Sequence, residues 1–181
     1  STAKMKVLLL LFLLVSATQA SAIERPIFDP KIGAQLDTNR VFRDASGRLD
    51  ALSGILGGKP ALLVFGYDKC PNLCGVTQQA VASDLRKAGL DPESYRALFI
   101  SIDGTETAAD AANAKATVAE VTDRNGLSSW RFLTSGDGAG AALAAEAGIT
   151  FDTRARIGQF VHPIAVLALT PAGRIAQVLP A

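Results

Sequence analysis

The fold of this chain is decided by the segment Ala61-Leu-Leu-Val-Phe-Gly-Tyr-Asp-Lys-Cys-Pro-Asn-Leu-Cys74. Its first seven residues form a continuous apolar run, which is typical of a strand buried on both faces of a sheet. Two cysteines follow this run, and a helix is predicted directly after them, from about Val76 to Ala88, ended by Gly89. A buried strand that leads through a short loop into a helix indicates an α/β fold.

The elements predicted on either side of this segment continue the alternation of strands and helices. Before it, Val41 to Leu49 is typical of a hairpin with the turn Asp44-Ala-Ser-Gly47. After it, we predict a strand at 97–102, a helix at 107–124 closed by Asn125-Gly126, a strand at 130–134, a short helix capped by Asp137 and running through Ala147, and a hairpin of strands 163–169 and 174–179. This order predicts a thioredoxin-like α/β sandwich, with a central mixed β-sheet flanked by helices.

Residues 1–22 are predicted to contain a secretory signal peptide, which leaves 23–181 as a single domain. The basic Lys6 precedes nine apolar residues, Val7 to Val15, and small residues follow as far as Ala22. A membrane anchor is the alternative, but nine apolar residues fall well short of the roughly 20 that span a bilayer. Ser1 to Lys4 precede the apparent start Met5 and are interpreted as a cloning remnant or a miscalled start. We expect an exported, periplasmic protein without a stable membrane span.

The charge balance gives no sign of a polyanionic partner. The chain has 18 basic and 17 acidic side chains, and loss of Lys4 and Lys6 with the leader makes it slightly acidic. Nucleic acid or an anionic membrane surface would call for a basic patch. We therefore expect no nucleic-acid partner, and we expect a monomer.

Few side chains in this chain can act as soft metal donors, which limits where such chemistry can occur. The chain has two cysteines, one histidine and one methionine, and the methionine is Met5 in the predicted leader. Soft-metal or thiol chemistry in the exported domain must therefore use Cys70, Cys74 and His162.

The two cysteines lie between a buried strand and a helix N-terminus, where exposed amides and the helix dipole lower the pKa of a thiol. Thiolate both binds metal and attacks disulfides, so the metal and redox interpretations of Cys70 and Cys74 remain open. A structural disulfide is a third interpretation, since export leads to an oxidising compartment, but so short a loop gains little entropic stabilisation.

The lone histidine, His162, directly precedes the last predicted hairpin. Two thiolates and one imidazole form a low-coordinate soft site that suits Cu(I), whereas a structural zinc site normally takes four protein ligands. A single histidine without a metal role is the other interpretation at this stage.

Three segments together resemble the Sco/SenC family of copper chaperones. Leu63 to Cys74 is similar to that family's strand followed by CPxxC, and Phe99-Ile-Ser-Ile-Asp103 is similar to its strand ending in a functional Asp. Gln159-Phe-Val-His162, with the following Ala165 to Arg174, is similar to its His followed by a strand–turn–strand. The similarity extends over about residues 40 to 181.

The resemblance implies a thioredoxin-like metallochaperone, which acts as a metal donor or as a thiol reductant of its partner's cysteines. It implies copper bound by Cys70, Cys74 and His162, with Cu(I) expected and Cu(II) as an alternative, and a role for Asp103 in metal transfer. The implied partner is subunit II of cytochrome c oxidase, whose dinuclear copper site would be assembled, or another periplasmic copper protein.

The sequence departs from the family pattern around the predicted ligands. Asp68 and Lys69 replace a Thr-His-like pair, and Gly75 and Gly104 stand where the family commonly has Pro.

The main alternative function is a thiol–disulfide oxidoreductase that reduces cysteines of a copper-site partner through Cys70 and Cys74. A peroxidase of the peroxiredoxin type is less favoured, because no threonine precedes Cys70 at the required place. A binding module with a structural disulfide is the remaining alternative.

Overall fold

The computed structural model describes residues 27–70, 74–151 and 165–179, and within them the fold is built on one seven-stranded sheet. The strands are β1 Val41–Asp44, β2 Leu49–Ala51, β3 Ala61–Gly66, β4 Arg96–Ser101, β5 Trp130–Thr134, β6 Val166–Leu169 and β7 Ile175–Leu179. The helices are α1 Leu52–Leu56, α2 Cys74–Ala88, α3 Ala108–Ala119, α4 Arg124–Ser128 and α5 Ala139–Glu146.

The sheet is mixed, with the strand order β2-β1-β5-β4-β3-β6-β7. Its centre is parallel, because β4 pairs in parallel with both β3 and β5. The outer strands are antiparallel: β1 pairs with β2 and β5, and β6 pairs with β3 and β7. The predicted α/β sandwich with a central mixed sheet flanked by helices is confirmed.

Apolar side chains of the central strands make the core. Leu63, Leu98, Ile100 and Leu133 are completely buried, and this burial explains the apolar runs of β3 and β4. Aromatic rings pack along one face, since the rings of Phe99 and Phe132 on paired positions lie 6.3 Å apart. This rigid sheet fixes the positions of the loops that leave its strand ends.

The helix predicted at 107–124 is confirmed as far as Ala119, and its predicted end is wrong. Thr107 and Asp110 form a reciprocal capping box that starts α3, but the helix ends at Ala119. Asp123 then accepts a hydrogen bond from the N–H of Gly126 and caps a separate short helix, α4. Asn125 and Gly126 therefore lie inside a helix, where the sequence predicted the end of one.

Smaller differences concern helix boundaries. The helix after the cysteines begins at Cys74, two residues earlier than predicted, and α1 was not predicted at all. Gly138 is the N-cap of α5, while Asp137 accepts a hydrogen bond from the N–H of Ala139 instead of capping directly. The predicted hairpins around Asp44–Gly47 and 170–173 are confirmed, although the second begins at Val166 in the described residues.

Several predicted features lie outside the described residues. They are the predicted leader at 1–22, the start of the strand predicted from Pro163, and His162. Among the helices of the described residues, none combines the length and the apolar character needed to cross a membrane.

Candidate metal centre

The predicted site begins where two neighbouring parallel strands end. Gly66 at the end of β3 pairs with Ser101 at the end of β4, and the N–H of Ile102 donates to the Gly66 carbonyl at 2.8 Å. The chain then continues from β3 to Cys70 and from β4 to Asp103. Because parallel strands end at the same edge of a sheet, both loops leave from one edge, as in other open α/β sheets that bind ligands there.

Cys70 and Cys74 occupy the loop after β3 and the start of α2. Cys70 is half-buried and packs against the core, and its N–H donates to the Tyr67 carbonyl at 3.4 Å in a turn. Cys74 is the first residue of α2, whose first turn contains no acidic residue. The positive end of the helix dipole therefore meets the cysteine segment without a nearby acid on the helix to offset it, which favours thiolate.

The full predicted ligand set is not brought together within the described residues. Residues 71–73, the side chain of Cys74 and His162 are outside them. Across 27–70, 74–151 and 165–179, no three His, Cys, Asp or Glu side chains cluster in a way that could hold a metal ion. The metal site of Cys70, Cys74 and His162 stays a prediction.

Asp103 shapes the loop after β4. Its Oδ1 accepts hydrogen bonds from the N–H and the hydroxyl of Thr105, both at 2.8 Å, and its own N–H donates to the Ser101 hydroxyl at 3.1 Å. The side chain is half-buried. One carboxylate oxygen thus holds a turn, and the predicted role of Asp103 in metal transfer stays a prediction.

Glu106 is the residue at this site that the sequence analysis missed. It is only 4% exposed, and its carboxylate accepts the backbone N–H of Asp68 at 2.8 Å and that of Lys69 at 2.6 Å. The hydroxyl of Ser101 donates to the same carboxylate at 2.5 Å. Glu106 therefore links the end of β4 directly to the two residues that precede Cys70.

Asp68 has an unusual environment. Both of its carboxylate oxygens are buried, and within the described residues neither has a hydrogen-bond partner. Burial, together with the negative charges of Glu106 and Asp110, raises the pKa of Asp68 from 3.8 to about 7, and Lys69 opposes this effect. This residue is one of the departures from the family pattern noted above.

Lys69 supplies the positive charge that faces this acidic group. Its ammonium lies 3.3 Å from the carboxylate of Asp110, which also caps α3. Hydrogen bonds from the backbone and side chain of Thr107 lower the pKa of Asp110, so this carboxylate stays ionised. The loop before Cys70 is therefore lined by the cation of Lys69 and by the carboxyl groups of Asp68, Glu106 and Asp110.

A family model matches the part of the chain that contains the cysteine segment and the loop after β4. The family model described as SCO1/SenC matches residues 44–124, a range that includes Cys70, Cys74, Asp103 and the newly found Glu106. The resemblance to the SCO1/SenC family is confirmed. Among curated proteins, none matches the chain in sequence.

Solved structures of Sco/SenC proteins share the fold. A SCO1/SenC family lipoprotein from Bacillus anthracis superposes with a TM-score of 0.67 at 18% identity, covering 87% of this chain and 88% of its own. ScoI of Bradyrhizobium japonicum with copper bound gives 0.62 at 21% identity, over 83% and 90%. BsSco, a Sco-family cytochrome c oxidase assembly protein with a disulfide switch, gives 0.58 at 17% identity, over 85% and 87%. The predicted thioredoxin-like fold is thereby confirmed.

Proposed function

We propose that this chain is an exported Cu(I)-binding metallochaperone that serves the dinuclear copper site of cytochrome c oxidase. The observation that carries the proposal is the position of Cys70, at the parallel strand ends of a Sco/SenC-like fold, with Cys74 opening the next helix. Binding of copper by the similar ScoI of Bradyrhizobium japonicum supports the choice of metal.

The proposed ligands are the Cys70 and Cys74 thiolates and the His162 imidazole. Three soft or borderline donors suit Cu(I), which accepts low coordination and prefers thiolate. The acid-free start of α2 supports this set, because the helix dipole stabilises thiolate at that end. Cu(II) is the alternative oxidation state for the same ligands.

The acceptor is proposed to be subunit II of cytochrome c oxidase or another periplasmic copper protein. The assembly role of BsSco supports this partner, and the signal-peptide-like residues 1–22 support export to the periplasm. In this proposal 23–181 is the single functional domain and acts as a monomer. Asp103, in the loop beside that of Cys70, would assist transfer of the metal to the acceptor.

Competitive titration with a Cu(I) chelator tests the proposal. The reduced chain is expected to bind one Cu(I), and both Cys70→Ser and His162→Ala are expected to weaken binding strongly, because each removes a ligand from a three-donor site. Circular dichroism of each variant controls for folding. Copper binding that is unchanged in His162→Ala would remove the histidine from the site.

A thiol–disulfide oxidoreductase is the second candidate, and the disulfide switch of BsSco favours keeping it. The Cys70 and Cys74 thiols would pass two electrons and two protons to a disulfide of the copper-site partner. A disulfide would then form here, and two thiols would form on the partner. Stoichiometric reduction of an oxidised partner that persists in His162→Ala, without Cu(I) binding, would favour this candidate over the first.

A further inference from the structure

We propose that Glu106 is a positioning residue that holds residues 68–70 in the conformation in which Cys70 binds metal. The proposal rests on the proposed copper role of Cys70, but its structural part concerns only the described residues. The carboxylate of Glu106 is nearly buried, and it is neither one of the proposed metal ligands nor the proposed transfer residue.

The hydrogen bonds at Glu106 require a carboxylate. One oxygen accepts the N–H of Lys69, and the other accepts both the N–H of Asp68 and the hydroxyl of Ser101. Three donors on two oxygens are satisfied by an ionised carboxylate, which only accepts. A glutamine would turn an amide NH₂ toward at least one of these donors and leave a buried N–H unsatisfied.

These contacts fix the loop immediately before the metal-binding cysteine. Lys69 is the direct neighbour of Cys70, and its hydrogen bond to Glu106 measures 2.6 Å. The N–H of Cys70 itself makes a longer bond of 3.4 Å to Tyr67. The charge-assisted hydrogen bonds of the Asp68 and Lys69 amides therefore restrain the loop more strongly than the hydrogen bond of the Cys70 amide to Tyr67.

Glu106 also ties this loop to a rigid support. Ser101 ends β4, and the N–H of Glu106 donates to the Asp103 carbonyl at 3.1 Å, so the carboxylate is anchored at the end of a buried strand. The loop after β3 is thus held against the loop after β4. A preorganised loop gives tighter metal binding, because less conformational freedom is lost when the ligands are ordered.

The test compares Glu106→Gln with Glu106→Asp and with the control Asp110→Asn, each in the reduced full chain. Asp110 is a suitable control because it also carries a negative charge near Asp68, while its contact with the loop is an ion pair with the exposed side chain of Lys69 and not a hydrogen bond to the Asp68 or Lys69 amide. Amide hydrogen exchange at Asp68 and Lys69, the alkylation rate of Cys70, and Cu(I) affinity by chelator competition are measured for every variant.

Glu106→Gln is expected to speed exchange of at least one of the Asp68 and Lys69 amides by about 10- to 100-fold, the usual range for loss of a charge-assisted hydrogen bond. It is also expected to change the alkylation rate of Cys70 and to weaken Cu(I) binding by about tenfold or more. Glu106→Asp keeps both acceptor oxygens and should recover part of each effect. Asp110→Asn should leave exchange at both amides and Cu(I) affinity close to wild type.

Wild-type exchange at these two amides in Glu106→Gln, or an equal loss of Cu(I) affinity in Asp110→Asn, would overturn the proposal. If Glu106→Gln does not fold, Glu106→Asp carries the same comparison. Absence of Cu(I) binding by the wild-type chain would contradict the copper function alone, since amide exchange and Cys70 alkylation test the positioning role without metal.

Discussion

Asp68 donates its backbone N–H to the carboxylate of Glu106 at 2.8 Å, while its own carboxylate is buried beside that same negative charge. The first contact stabilises the loop before Cys70, and the second makes ionisation of Asp68 unfavourable. The same pair of residues thus restrains the loop and makes it sensitive to pH.

Asp68→Asn is expected to alter the pH dependence of stability in the metal-free, reduced protein. Asp68 ionises near 3.8 when unfolded and near 7 when folded, so between these values the unfolded chain binds fewer protons and wild-type stability falls as pH rises. Asn mimics the protonated side chain and avoids this loss. The variant should be more stable than wild type at pH 8, by no more than about 4 kcal/mol, and the difference should vanish near pH 4.

Urea denaturation between pH 4 and pH 8 measures this effect, and Asp110→Asn provides a contrast of opposite sign. The pKa of Asp110 is lowered from 3.8 in the folded protein, so its charge stabilises the fold at neutral pH and Asp110→Asn should be less stable than wild type there, by an amount that stays nearly constant until the pH falls toward 3.8. Parallel pH profiles for Asp68→Asn and wild type would contradict the assigned environment of Asp68.

Gly140→Ala is expected to destabilise the protein by about 1–3 kcal/mol, because overpacking forces backbone to move. A Cβ at Gly140 would overlap the carbonyl of Ser101, where α5 meets the end of β4. The matched control is Gly136→Ala, since a Cβ there meets no atom within 4 Å. Thermal unfolding of both variants measures the difference, and equal melting temperatures would refute the close approach of α5.

Asp103→Asn is expected to slow copper transfer to a soluble copper-site domain of oxidase subunit II, while one Cu(I) still binds. The control is Asp91→Asn, because Asp91 also accepts a backbone N–H two residues later, from Glu93 at 2.9 Å, in an exposed turn. Stopped-flow spectroscopy follows formation of the copper site. Equal transfer rates in the two variants would exclude a transfer role for Asp103.

The central strands β3 and β4 could be predicted from sequence because their apolar runs reflect burial on both faces. The strand predicted at 130–134 matches β5 residue for residue, and the run that starts at Ala61 matches β3 to within one residue. The helix after Thr107 was predicted too long, because no Gly or Pro interrupts the sequence between Ala119, where the helix ends, and Asn125-Gly126, and the prediction missed the separate helix that Asp123 caps. Such a local cap competes with helix propensity and decides the boundary.

The site could be predicted only in part. The cysteine spacing and the apolar strand before it are local sequence signals. The loop that contains Asp103 leaves the sheet at the same edge as the loop that contains Cys70, as expected for neighbouring parallel strands. The role of Glu106 depends on a contact across 37 and 38 residues of chain, between the ends of two strands. The one local signal was an acid directly before the N-cap Thr107, and it does not reveal which amides that acid binds.

X-ray absorption of the Cu(I)-loaded, reduced chain is the most direct test of the central claim. We expect one copper ion with two sulfur neighbours and one imidazole nitrogen, and loss of the imidazole signal in His162→Ala. Copper with sulfur neighbours alone, in a spectrum that His162→Ala leaves unchanged, would contradict it.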